Sequence, residues 1–212
     1  MARGRLITIE GIDGAGKSTL AAALAREIAE RGQRVELLRE PGGVDLSERI
    51  RALVKDPALS VAPRAEALLY AAARAQLVQE RLIGLLQQGA LVLLDRFVDS
   101  SLAYQGAARE LGVEEVRQIN RFATGGLTPD RTLLLHIDPA VGRARAQERG
   151  IAPDRLEREG GDFFATIAAA YEELARAEPG RIRRIDAAQS PEDVLHNALA
   201  AIDDLLDASA GD

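Results

Sequence analysis

Arg5–Leu24 reads RLITIEGIDGAGKSTLAAAL. Inside it, Gly11-Ile12-Asp13-Gly14-Ala15-Gly16-Lys17-Ser18 satisfies G-x-x-x-x-G-K-[ST], the spacing of a phosphate-binding loop. Leu6-Ile7-Thr8-Ile9 predicts a short buried strand before the loop, and the Ala- and Leu-rich run Thr19–Arg31 predicts a helix after it. That order gives the motif its chemistry. Glycines let successive N–H groups turn inward around a phosphate, and the helix N-terminus adds partial positive charge. Lys17 is then a point charge for the β/γ oxygens, and Ser18 offers its hydroxyl to Mg²⁺.

The 212 residues suit one domain, residues 1–212, with a core of its own. Neither linker, internal repeat nor low-complexity tract interrupts them. Hydrophobic residues make up 47% and charged residues 28%, the balance of a soluble globular protein. No apolar run approaches the roughly 20 residues a membrane span needs, and Arg3 and Arg5 precede only a strand-length run. The reading is therefore cytoplasmic, with no membrane partner. A net charge of −6 argues against a nucleic-acid surface, so an anionic ligand requires a local positive cluster. Lysine occurs only at 17 and 55, and one of the two falls in the phosphate loop. Without cysteine there is no disulfide or thiolate chemistry.

Beyond the first helix, strands are predicted at Arg34–Leu38, Ala90–Leu94, Thr132–Ile137 and Arg181–Ile185. Helices are predicted from Asp45 (capping with Glu48) to about Val54, over about 64–88, 97–108, 113–124, from Asp138-Pro139 to Gly150, over about 161–177, and from Ser190-Pro191 onward. Strands alternating with helices predict a five-stranded parallel sheet between helical layers, with ligands at the strands' carboxyl ends.

Several side chains sit where that architecture does chemistry. Asp95 ends a buried strand, either to hold Mg²⁺ beside Ser18 or to cap the next helix. Arg96 follows it, placed either to bridge two phosphates through its fork or to stand on the surface. Asp13, inside the loop, is electrostatically odd among phosphates unless a cation or a sugar hydroxyl compensates it; the other reading is a turn residue. Arg143, Arg145, Arg149, Arg155 and Arg158 mark either a solvated, salt-bridged face or a segment that closes over a nucleotide. Tyr70 and Arg74, spaced i, i+4, suit core packing or a nucleobase.

Four stretches then converge on one family. EGIDGAGKST at 10–19, REPGG at 39–43, DRFVDSSLAYQG at 95–106 and Pro129-Asp130 together resemble thymidylate kinases, and the similarity runs from the first strand to the final helix. The resemblance implies a P-loop NTPase-like α/β/α fold with a mobile lid at about 143–159, and transfer of the ATP γ-phosphoryl to dTMP, giving dTDP on the route to dTTP. It implies ATP contacts from Gly11, Asp13, Gly14, Ala15, Gly16, Lys17, Ser18, Thr19, Arg143, Arg149, Ala187 and Gln189. It implies dTMP contacts from Asp13, Arg39, Pro41, Tyr70, Arg74, Arg96, Ser101, Tyr104 and Gln105. Tyr70 stands where the family usually stacks a Phe on thymine, Arg74 matches the arginine that reads the base edge, and Tyr104 lies against the deoxyribose. Lys17, Arg96, Asp13 and Arg149 carry the catalytic roles, Ser18 and Asp95 the Mg²⁺, and the assembly is a homodimer. Glycine at 14 with arginines near 143–155 fits the bacterial-like type. Ala73, Leu77 and Arg131 depart from the residues common in the family.

The competing classes account for less. A small GTPase reads guanine with N-K-x-D, and neither lysine is preceded by Asn. A deoxynucleoside kinase needs a base for a neutral hydroxyl and leaves REPGG unexplained. A phosphate monoester, with a second pKa near 6, is already a nucleophile, so Asp13 is not expected to act as a base.

Overall fold

The computed structural model describes residues 3–148, 150 and 152–206. Strands β1 (Leu6–Glu10), β2 (Val35–Arg39), β3 (Leu91–Asp95), β4 (Arg131–His136) and β5 (Ile182–Asp186) form one parallel sheet in the order β2-β3-β1-β4-β5. β1 lies between β3 and β4, so the loop after it emerges from the middle of the sheet. Every residue of β1 is buried, which is why its sequence shows no alternation. β2 is an edge strand and only half covered.

Helices cover both faces. On one, α1 (Lys17–Glu30) and α9 (Pro191–Ala200) pack on each other, and Leu20, Leu24 and Ile28 of α1 join Ile7 and Ile9 in one core cluster. On the other, Leu6, Val92 and Leu94 meet Leu77, Val78 and Leu82 of a long helical rod. That rod is α3 (Pro63–Leu77), a π-helical turn (Val78–Leu82) and α4 (Ile83–Gln87). Similarly, α5 (Val98–Ser101) widens into a π-helical segment, Leu102–Ala108. Unbroken α-helices were the expectation for both. One extra residue per turn leaves the apolar pattern almost unchanged, so periodicity could not reveal it.

The remaining helices are α2 (Asp45–Lys55), α6 (Val113–Thr124), α7 (Pro139–Glu148) and α8 (Gly161–Ala177). Expected caps hold at Asp138, whose Oδ1 accepts from Ala140 N–H at 2.8 Å, and at Ser190, whose Oγ accepts from Asp193 N–H at 3.2 Å. The expected Asp45 cap does not. Extended Val44 precedes the helix, and the Glu48 carboxylate reaches back to the Gly43 N–H at 2.9 Å. Arg131, one of the three departures from the common pattern, is buried with its guanidinium on Ala201 O at 3.1 Å and Asp204 at 2.6 Å. It thereby satisfies an orphan carbonyl at the end of α9. No helix among the described residues is long and apolar enough to cross a membrane.

Candidate active site

The loop between β1 and α1 turns on Gly11, Gly14 and Gly16, with φ of 139°, 80° and 92°. A Cβ on Gly14 would lie 1.9 Å from Gly142 O, so the loop rests directly on the backbone of α7. At Gly16 nothing lies within 4 Å, and the left-handed φ alone demands glycine. The carboxyl ends of β1, β2 and β3 then converge on a cavity of about 660 Å³, within the range of small-molecule sites. Lys17, Arg39 and Arg96 all line it, and so does Lys55, so both lysines of the chain face one hollow.

Lys17 donates to Ile12 O at 2.8 Å, and its ammonium stands 3.8 Å from Asp13. Burial and the neighbouring Arg96 push its pKa down to about 8, against the pull of Asp13 and Asp95. Ser18 donates to Asp95 Oδ2 at 2.6 Å. These two oxygens suit a hard cation that keeps waters and substrate phosphates as its other ligands.

Arg96 occupies the floor. Its guanidinium donates to Gly11 O and to Ser100 Oγ, both at 3.1 Å, and to Asp13 Oδ1 at 2.5 Å, and it lies over the Tyr104 ring at 5.2 Å. Tyr104 OH also donates to Asp13 Oδ2 at 3.2 Å. Burial alone would raise the Asp13 pKa, but Arg96 and then Lys17 overcome it and hold the carboxyl well below its ordinary value. Beneath them lies Glu10, which sequence reasoning missed. It accepts from the N–H of Phe97 (2.7 Å) and Ser100 (3.2 Å), and from the hydroxyls of Ser100 (2.5 Å) and Tyr171 (2.9 Å). Burial, then Asp99, raises its pKa to about 7. A carboxylate at the end of a fully buried strand-length run was the available signal.

The wall opposite the loop carries Tyr70, Arg74, Ser101 and Gln105. Arg74 is 2% exposed, and protein groups take its donors: Glu40 Oε2 at 2.7 Å, Phe97 O and Ser101 Oγ at 2.9 Å each, and Asn120 Oδ1. With these partners it braces the wall that it lines. Arg39 is held by Glu48 at 3.0 Å, and Pro41 O accepts from Arg51 at 2.9 Å.

Thr19, Ala187 and Gln189 also line the cavity, whereas Gly11 does not and meets Arg96 through its carbonyl. The arginine-rich segment divides. Arg145 lines the cavity and donates to Ala187 O at 2.9 Å. Arg143 stands apart over the Phe164 ring at 5.4 Å, which sets it off from the other expected ATP contacts. Arg155 docks on Glu66 Oε2 at 2.6 Å and Val54 O at 3.0 Å, while Lys55 pairs with Asp154 at 2.6 Å. Arg149 lies outside the described residues.

A family model described as thymidylate kinase matches residues 9–198. The chain belongs to the thymidylate kinase family. It is 49% identical over 195 residues to a thymidylate kinase of Deinococcus radiodurans, covering 92% of this chain and 94% of the relative. It is 44% identical over 209 residues to a thymidylate kinase of Bacillus licheniformis, covering 96% and 97%. Among solved structures it resembles the crystal structure of thymidylate kinase from Ehrlichia chaffeensis, with a TM-score of 0.79 at 26% identity, covering 95% of this chain and 99% of that one. The fold is that of a P-loop nucleotide kinase, and phosphorylation of dTMP is the activity of the thymidylate kinase family.

Proposed function

We propose that the chain transfers the γ-phosphoryl of ATP to the 5′-phosphate of dTMP as a cytoplasmic homodimer, with residues 143–159 closing as a lid within one 1–212 kinase domain. The observation that carries this is the convergence of Lys17, Arg39 and Arg96 on one cavity in a net-acidic chain. ATP phosphates lie along 13–19, with Ala187, Gln189 and Arg145 toward the nucleoside, and Arg149 is the remaining candidate for the γ-phosphate. The dTMP phosphate meets Arg39 and Arg96, its sugar meets Asp13 and Tyr104, and its base lies on Tyr70 beside Ser101 and Gln105, with Pro41 and Arg74 at the same wall.

Ser18 and Asp95 would hold Mg²⁺, since both are hard oxygen donors already in contact. When bound, the cation supplies charge neutralisation on the donor phosphates. The chain's own residues carry the rest. Two unit charges about 4 Å apart repel by ~4 kcal/mol at an effective dielectric near 20, and Lys17, Arg39 and Arg96 offset that repulsion while fixing an in-line approach. The acceptor phosphate is largely dianionic at neutral pH and needs no base. Asp13, held ionised by Arg96, is too weak a base to serve as one, so it orients the guanidinium instead.

Homodimer formation has support in four exposed apolar side chains on α3 and the two helices packed against it: Leu46 and Leu53 on α2, Leu68 on α3 and Phe122 on α6. The substrate assignment is tested by ADP release from ATP and Mg²⁺ with a panel of nucleoside monophosphates and nucleosides. Turnover with dTMP, weaker turnover with dUMP and none with thymidine is expected; preference for any other acceptor overturns it.

A further inference from the structure

Gln105 is an ambiguous reader by itself. Its side-chain amide can present either the carbonyl or the NH₂ to a base, according to which way it is turned. In this chain something else decides. Nε2 donates to Glu66 Oε1 at 2.9 Å, and Glu66 is fully buried on α3. A carboxylate only accepts, so the NH₂ must face it. Gln105 lines the cavity, and among the described residues no donor meets its Oε1. Glu66 is held in turn: Arg155 donates to its Oε2 at 2.6 Å, and Arg109 approaches Oε1 at 3.5 Å and Oε2 at 3.4 Å. Two guanidiniums pair with the carboxylate and fix its direction.

We propose that Glu66 is a specificity-determining positioning residue: it locks the Gln105 amide so that an acceptor faces the base, selecting pyrimidines that carry an N3–H over cytosine. This rests on the assignment of dTMP to the Tyr70 wall and deepens it. Thymine and uracil present N3–H as a donor to Oε1. Cytosine presents a bare N3, so two acceptors would confront each other with neither satisfied, and a site built for one hydrogen-bond polarity rejects the other strongly.

Glu66→Gln tests the lock. Arg155 has only donors to offer, so the substituted amide turns its carbonyl to Arg155 and its NH₂ to Gln105. Gln105 then flips its carbonyl inward and shows NH₂ to the cavity. Steady-state kcat/KM with ATP and Mg²⁺ should fall for dTMP and rise in absolute terms for dCMP, shifting the ratio by about tenfold or more. In a Gln105→Ala background the same substitution should leave the ratio unchanged. A purely structural Glu66 lowers both values together, and that result, or an unmoved ratio, overturns the proposal. If wild type fails to phosphorylate dTMP, the site assignment falls as well; if it succeeds while the ratio stays fixed, only the lock falls.

Should Glu66→Gln not fold, the wild-type chain decides. In ¹⁵N spectra the Gln105 NH₂ protons should be protected from exchange before substrate is added and should stay so with dTMP bound. Fast exchange in the free protein overturns the lock.

Discussion

Arg96 carries a left-handed backbone, φ 69°, at a position where glycine would sit without strain. A non-glycine residue there costs about 1 kcal/mol or more, and such costs persist where the side chain is needed. The side chain explains the cost: one guanidinium joins the phosphate loop, through Gly11 O and Asp13, to α5 through Ser100. Removing it should therefore separate activity from backbone strain. Arg96→Ala and Arg96→Gly should both reduce kcat by about 10³-fold or more, the scale of a phosphate-bridging arginine. Arg96→Gly should nevertheless be the more stable of the two, by about 1 kcal/mol in denaturant unfolding, because glycine relieves the φ. Equal stability of the two variants would show that the backbone at 96 is not strained; near-normal turnover in either would remove Arg96 from the chemistry.

At the scale of elements, the contact between the phosphate loop and α7 is the one that sequence reading could not anticipate. Gly142 looks like an unfavourable residue inside a helix, yet a Cβ there would lie 2.9 Å from both Asp13 O and Ile12 Cδ1. Its glycine is set by a neighbour more than a hundred positions away in sequence, and local pattern carries no record of that. Strand–loop–helix order around Lys17, by contrast, is local, and the structure keeps it within two residues. The same divide runs through the site. Lys17, Ser18, Asp95 and Arg96 announce themselves by spacing, whereas Glu10, Glu66 and Asn120 act through partners that only the fold supplies. Glu66, Tyr70 and Arg74 do share one face of α3 at i, i+4 and i+8, a signal that could have drawn Glu66 in. Gly142→Ala should overpack this seam, lowering stability by about 1–3 kcal/mol and raising KM for ATP more than KM for dTMP. Gly84→Ala, in α4 with open space around its Cβ, should instead be neutral or stabilising by up to about 1 kcal/mol. Thermal melts and two-substrate kinetics on the pair check both halves; a Gly142→Ala variant with unchanged KM for ATP would mean the loop does not depend on α7.

Over the whole molecule, charge and apolar surface are segregated to different sides of the work. A chain of net charge −6 turns Lys17, Arg39, Arg96 and Arg145 toward one cavity at the strand ends. Among its described residues the most exposed large apolar side chain is Phe122, at 93%, with Leu68 at 57% on a helix packed against its own. An aromatic ring left in water at a helix surface forfeits about 2–3 kcal/mol of burial, a cost that association through α3 and α6 would recover on both copies of a two-fold pair. That pairing would also brace α3, the helix that supplies Glu66, Tyr70 and Arg74, so that assembly and base recognition would share one element. Phe122→Glu places a charge where the ring sits and should convert a dimer to a monomer in sedimentation velocity at micromolar concentration. Because α3 loses its support, KM for dTMP should rise while KM for ATP, set on the far side of the sheet by α1 and the loop, stays nearly constant. Wild-type protein sedimenting as a monomer, or a Phe122→Glu variant that remains dimeric, would place the contact elsewhere and leave that ring without an interface role.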